Sequence, residues 1–168
     1  MGEAQRDGLA NAVARTSDQA IALRLAQDGA IVGVNDLKPA FIEKTVELIR
    51  AAGGVAEDLP GDASQREAVR SMVLGLAERR GRFDIIVNNA AWVRYGDIAS
   101  ITEKTYERMT AIGFGRVIWG IQAAAEAMGD KGGSIINIAS SAAFLGLPSA
   151  MVYCGIKAGV TGLTHAFS

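Results

Sequence analysis

Ser140, Tyr153 and Lys157 are the residues whose types and spacing suit chemistry. Tyr153 and Lys157, four apart, fall one turn from each other on a single helix face. A free phenol titrates near pH ~10 and needs help to act as an acid or base at neutral pH. A neighbouring ammonium favours the phenolate, and a serine hydroxyl can hold the oxygen of a substrate. Together they could move a proton to or from an alcohol or carbonyl oxygen. The alternative for the same residues is a Tyr–Lys pair on a helix surface and a serine in a loop.

These side chains need a strand, a loop and a helix to bring them together. Residues 134–138 are a β-branched run that reads as a buried strand. It ends in Ser140 and Ser141, crosses a loop bearing Gly146 and Pro148, and enters a helix carrying Tyr153 and Lys157. Upstream, a helix is expected over residues 18–27 with Gly29 as its C-cap, then a strand over 30–34. A helix opens at Pro39 and runs to Ala52, followed by a weak strand over 55–59. A Ser64/Glu67 capping box starts the next helix, which ends near Arg80. A strand over 83–87 leads into Asn88-Asn89-Ala90. A long helix is expected from Thr102 to Met128, interrupted by Gly113 and Gly115. Leu9–Ala14 reads as a poor strand or, by propensity, as the start of a helix.

Strands alternating with helices of this length predict βαβ units and an α/β fold, a doubly wound parallel sheet in one domain over 1–168. Ligands of such sheets sit beyond the carboxyl ends of the strands. Asp36, Asp62, Asn88 and Ser140 all fall at or just past strand ends and would line one rim. Asp36 and Asp62 could equally close turns or cap helices.

Composition narrows the classes. With 168 residues, 49% hydrophobic, and a net charge of −1, the chain can bury a core and lacks the basic patch expected of a nucleic-acid or anionic-membrane binder. No apolar run reaches the ~18 residues of a membrane span. One cysteine, Cys154, excludes an internal disulfide framework and makes the reducing cytosol the expected setting. His165, the single histidine, has no Cys, His or carboxylate at ligand spacing, so no metal site is expected. Cys154 reads as a small buried residue. Arg79-Arg80 reads as a solvated helix end suited to the dipole. Trp92, Val93 and Tyr95 are candidate walls of a substrate pocket.

From Gln19 onward the sequence resembles the short-chain dehydrogenase/reductase family, carried by Tyr153-x-x-x-Lys157, Ser140, Asn88-Asn89-Ala90 and Asp62. The resemblance implies a Rossmann-type sheet that binds NAD or NADP. It makes Tyr153 the acid/base, Lys157 the residue that lowers its pKa and holds the nicotinamide ribose, and Ser140 the group that orients the substrate oxygen. It places Asp62 near the adenine, with Asn88 and Ala90 on the cofactor's adenosine side. Asp36 can accept from a ribose 2′-hydroxyl and repels a 2′-phosphate, which favours NAD over NADP. The implied reaction interconverts a secondary alcohol and a ketone, and the family's dimer helices, here 103–128 and 153–168, imply a homo-oligomer.

The chain departs from the family pattern in four places. Asn11, Ala12, Thr16 and Asp18 stand where the family has Thr and three glycines. A carboxylate at Asp18 would repel a phosphate by about 1 kcal/mol at 4 Å even in water. Leu9–Ala14 takes the place of the central strand, and without it two half-sheets would face each other with unpaired edges. Gly113 stands where the family has a catalytic Asn, while Ala91 replaces a preferred Gly. The chain also ends before the family's last strands and substrate loop. The alternative expectation is therefore a degenerate, non-catalytic member that acts as an association module.

Overall fold

The computed structural model describes residues 18–167. Helix α1 covers residues 18–27 and leads into strand β1 (Ile31–Asp36). Helix α2 (Pro39–Ala51) and strand β2 (Val55–Pro60) complete a βαβ unit, with β1 and β2 parallel from Ile31↔Val55 to Asp36↔Pro60. Pro39 sets the first turn of α2, where a missing N–H costs nothing. Ile42, Val46 and Ile49 recur at helical spacing, are at most 1% exposed, and pack with Ala26, Val32 and Ala56. Burying each is worth about 1.5–3 kcal/mol.

Helix α3 (Arg66–Arg80) crosses to strand β3 (Ile85–Asn88). The expected Ser64/Glu67 capping box does not form. Gln65 is the N-cap, without a side-chain cap, because the Asp62 carboxylate closes its own turn by accepting from the Ser64 N–H at 2.9 Å. The helix therefore starts one residue later. Arg79 and Arg80 are not simply solvated: both guanidinium groups bond to Glu57 on β2, Arg79 at 2.8 Å.

Thr102 caps helix α4 (Glu103–Thr110) by accepting from the Thr105 N–H at 3.2 Å. The expected interruption is a π-helical turn, Ala111–Gly115, that leads without a break into α5 (Arg116–Met128). Such turns insert a residue into an α-helix and are frequent at functional sites. Strand β4 (Ser134–Asn137) pairs parallel with β3, from Ile85↔Ser134 to Asn88↔Asn137. A short helix, α6 (Ala142–Leu145), sits in the stretch read as loop, and α7 (Met151–Phe167) follows. Val117, Ile121 and Val160 join α5 to α7, while Val69, Val73 and Ala123 join α3 to α5.

The architecture is α/β with parallel pairing, but the described strands make two two-stranded sheets, β1–β2 and β3–β4. Strands β1 and β3 do not pair with each other, and among the described residues both line one cleft. Leu9–Ala14 lies outside the described residues, as do Asn11, Ala12 and Thr16. Among the described residues no helix is long and apolar enough to cross a membrane.

Candidate active site

The strand end, α6 and α7 position the three residues with which the sequence reading began. Ser140 follows β4, and its Oγ accepts from the Ala142 N–H at 3.2 Å. That contact fixes the side chain and leaves the O–H free to donate. Lys157, on α7, is 5% exposed. Its Nζ donates to the Ile138 carbonyl at 2.5 Å and lies 5.8 Å from the centre of the Tyr153 ring. One hydrogen bond thus ties the Tyr/Lys face of α7 to the backbone two residues before Ser140. Burial, and secondarily the charge of Arg116, hold the Lys157 ammonium below the usual lysine range. Tyr95 stands near Tyr153: its phenol is pushed up by burial first and then by Tyr153 and Cys154. Cys154 is half-buried, and its Sγ accepts from the Leu147 N–H at 3.2 Å.

Gly113 lets α7 come this close. A Cβ there would lie 2.9 Å from Ile156 Cγ2, the residue next to Lys157. A side chain at 113 would therefore require the Ile156 side chain to give way.

The second group of expected residues lies in the cleft. Asp36, Asp62, Asn88 and Ala90 all line it, together with Asp18, Trp92 and Arg116. Ser140, Tyr153 and Lys157 do not. Asp36 Oδ1 accepts from the Lys38 N–H at 2.8 Å, which closes the turn into α2. The Asn88 side chain is 5% exposed and turns toward its register partner. It donates to Asn137 Oδ1 at 2.9 Å, and Asn137 in turn donates to Thr164 Oγ1 at 3.1 Å on α7. Gly120 makes room for it, since a Cβ there would collide with Asn88 Oδ1. Asn88 thus fastens β3, β4 and α7 to one another.

Trp92 packs under the Arg108 guanidinium, 4.4 Å from the ring centre. Tyr95 belongs to a separate small recess with Met109, Ser149 and Met151.

Arg116 joins the two groups, and sequence reasoning missed it. Its guanidinium is 9% exposed, and its Nη1 has no hydrogen-bond partner among the described residues. Burial lowers its pKa to about 10, offset in part by Asp18. Asp18, the first described residue of α1, accepts a hydrogen bond from Asn89. Partial burial pushes its carboxyl up, against the opposing Asn89 bond and Arg116 charge, with Asp36 adding to the rise. The residue as a whole remains exposed at the mouth of the cleft, so solvent screens that effect. A lone charge inside the apolar run from Gly113 to Gly120 was the available signal, because buried unpaired charges are unfavourable.

Comparison with known proteins agrees with this geometry. The short chain dehydrogenase family matches residues 14–168. A sorbitol dehydrogenase of Cereibacter sphaeroides is 36% identical over 156 residues, covering 91% of this chain and 59% of that protein. A Sinorhizobium meliloti protein provisionally described as a short-chain alcohol dehydrogenase superposes with a TM-score of 0.84 at 32% identity, covering 88% of this chain and 59% of that one. A metagenomic short-chain oxidoreductase solved in complex with NADP superposes with a TM-score of 0.83 at 29% identity, covering 88% of this chain and 68% of that one. The chain spans about three fifths of the length of the curated relatives it matches. It belongs to the short-chain dehydrogenase/reductase family.

Proposed function

We propose that this chain is the cofactor and proton-handling part of an NAD(P)(H)-dependent oxidoreductase that interconverts a secondary alcohol and a ketone. The observation that carries the reading is buried Lys157, held by the Ile138 carbonyl beside the Tyr153 ring. The Lys157 side chain is held by a contact that an incidental surface pair would lack.

The residues present fit a dinucleotide. Among the described residues the cleft has acids at or just past two strand ends, Asp36 and Asp62, and Asn88 and Ala90 at a third. When bound, the nicotinamide supplies or accepts the hydride at the substrate carbon. Asp36 would accept a ribose hydroxyl at Oδ2, since Oδ1 is held by Lys38; its negative charge favours NAD over NADP. Asp62 and Ala90 would line the adenosine side, with Asn88 bracing the strand ends behind them. In the reducing direction Ser140 donates its O–H to the carbonyl oxygen and Tyr153 delivers the proton to that oxygen. Lys157 spends one N–H on Ile138 and has two left for ribose hydroxyls. Its charge stabilises the Tyr153 oxygen once the proton has left, and solvent returns that proton. The alcohol-oxidising direction reverses each transfer. A small alcohol or ketone is the substrate class. The reducing cytosol is the proposed setting, and the helices α4–α5 and α7 are the proposed surface of self-association.

The test is titration with NADH by fluorescence and calorimetry, followed by ketone reduction. Saturable binding is expected, and none at millimolar cofactor would refute the reading. A second reading, a non-catalytic association module, draws on Gly113, where Ile156 packs close and no asparagine stands. It predicts a concentration-dependent oligomer without NADH binding.

A further inference from the structure

Two glycines and two large side chains interlock between α7 and the π-helical turn Ala111–Gly115. Gly113 of the turn faces Ile156, where a Cβ would lie 2.9 Å from Ile156 Cγ2. Gly159 of α7 faces Phe114, where a Cβ would lie 2.7 Å from Phe114 Cε2. Each element thus offers the other a gap and a side chain that fills it. Other glycines of α7 are not used this way, since a Cβ at Gly155 or Gly162 would meet nothing within 4 Å. Ile156 is 9% exposed, and Phe114 packs on the cluster of Val117, Ile121 and Val160. Neither side chain has open space to retreat into, and close-packed interiors transmit strain. Ile156 and Gly159 stand on either side of Lys157 in the chain. The reach of Lys157 Nζ to the Ile138 carbonyl, 2.5 Å away, therefore depends on where this contact holds α7.

We propose that the π-helical turn is a clasp that sets the position of Lys157, with Phe114 and Ile156 as positioning residues that hold α7 against the Ile138 carbonyl. Its consequence for the reaction rests on the reading that Tyr153 and Lys157 handle the proton. A turn of this kind carries one residue more than an α-helical turn, and here the adjacent residues 113 and 114 both meet α7. The clasp works through shape alone: it touches no substrate, and it fixes the helix that carries the ammonium.

The test compares wild type, G159A, F114L, F114L/G159A and G162A, each first checked for a cooperative melt. The readouts are NMR titration of the Lys157 side chain and ketone reduction with NADH. Burial, and then the charge of Arg116 on α5, hold the Lys157 ammonium below the usual lysine range. The added methyl of G159A wedges against Phe114. Lys157 is then expected to titrate closer to the usual range, and ketone reduction to slow about 10- to 100-fold, the loss that follows a misplacement of about 1 Å. Shortening the opposing side chain in F114L/G159A restores most of both, and G162A changes neither. F114L alone loosens the clasp without a clash and moves both readouts the same way by less. A purely structural contact would lower the melting temperature of G159A and leave the Lys157 titration in place. That outcome overturns the proposal, as does a double variant no better than G159A, or unchanged ketone reduction in a G159A whose Lys157 titration has moved. If G159A does not fold, unchanged readouts in F114L overturn it. A wild type that neither binds NADH nor reduces ketones refutes the proposed function, and the Lys157 titration still decides the clasp.

Discussion

The half built on β1–β2 and the half built on β3–β4 are each packed, but they differ in how they treat charge. The first has a dry core of its own, with Ile49 fully buried and Ile42 and Val46 nearly so. Its acids, Asp36 and Asp62, close turns at the strand ends. The second buries polar groups and satisfies most of them: Asn88 through Asn137, Lys157 through Ile138. Among the described residues the exceptions are Thr110 Oγ1 and Arg116 Nη1. Helix α3 joins the halves, packing on α5 and bonding through Arg79 and Arg80 to β2. Asp36 and Asp62 on the one hand, and Ser140, Tyr153 and Lys157 on the other, are thus carried on separately packed units.

The largest expected effect tests the chemistry of the second half. Tyr153→Phe removes the proton donor without touching the cleft, so ketone reduction should fall about 10²- to 10⁴-fold while NADH affinity changes little. A parallel loss of NADH binding would break the division between the two units. Ile49→Ala should destabilise the protein by about 2–5 kcal/mol. If the halves are separate units, hydrogen exchange will speed up in β1 and β2 before β3 and β4; uniform acceleration would show that they unfold as one. Gly120→Ala pushes on Asn88 and should lower stability by about 1–3 kcal/mol, read as a lower melting temperature with protection lost first around Asn137 and Thr164.

The smallest effect concerns Asp18. Its carboxyl pKa is raised in the fold from the ordinary 3.8, chiefly by burial. The stabilisation from the neutral acid is present below that value and is lost as pH rises through the folded pKa. At neutral pH the charged form is therefore a modest burden. Asp18→Asn should raise the melting temperature at pH 7, with the difference shrinking as pH falls toward 3.8. A gain that persists unchanged in acid would mean the effect is not electrostatic.

Much of this was legible in the residues. Apolar periodicity and the punctuation by Gly29, Pro39 and Thr102 located the helices, because hydrophobic faces and caps are local properties. Tyr153 and Lys157 share a face by helical geometry alone, and the family membership follows from short motifs. The Ser64/Glu67 box failed because a carboxylate next to it, Asp62, competed for the same backbone, and local pattern does not rank such competitors. The roles of Asn88, Gly113 and Arg116 were decided only in three dimensions. Asn88 bonds to a residue 49 positions away, Gly113 is measured against Ile156 on another helix, and the guanidinium of Arg116 is defined by what surrounds it. Burial and pairing are properties of the assembled neighbourhood, so residue type and spacing determine where the chemistry stands on each element, and tertiary packing decides which of those groups are buried and what each of them bonds to.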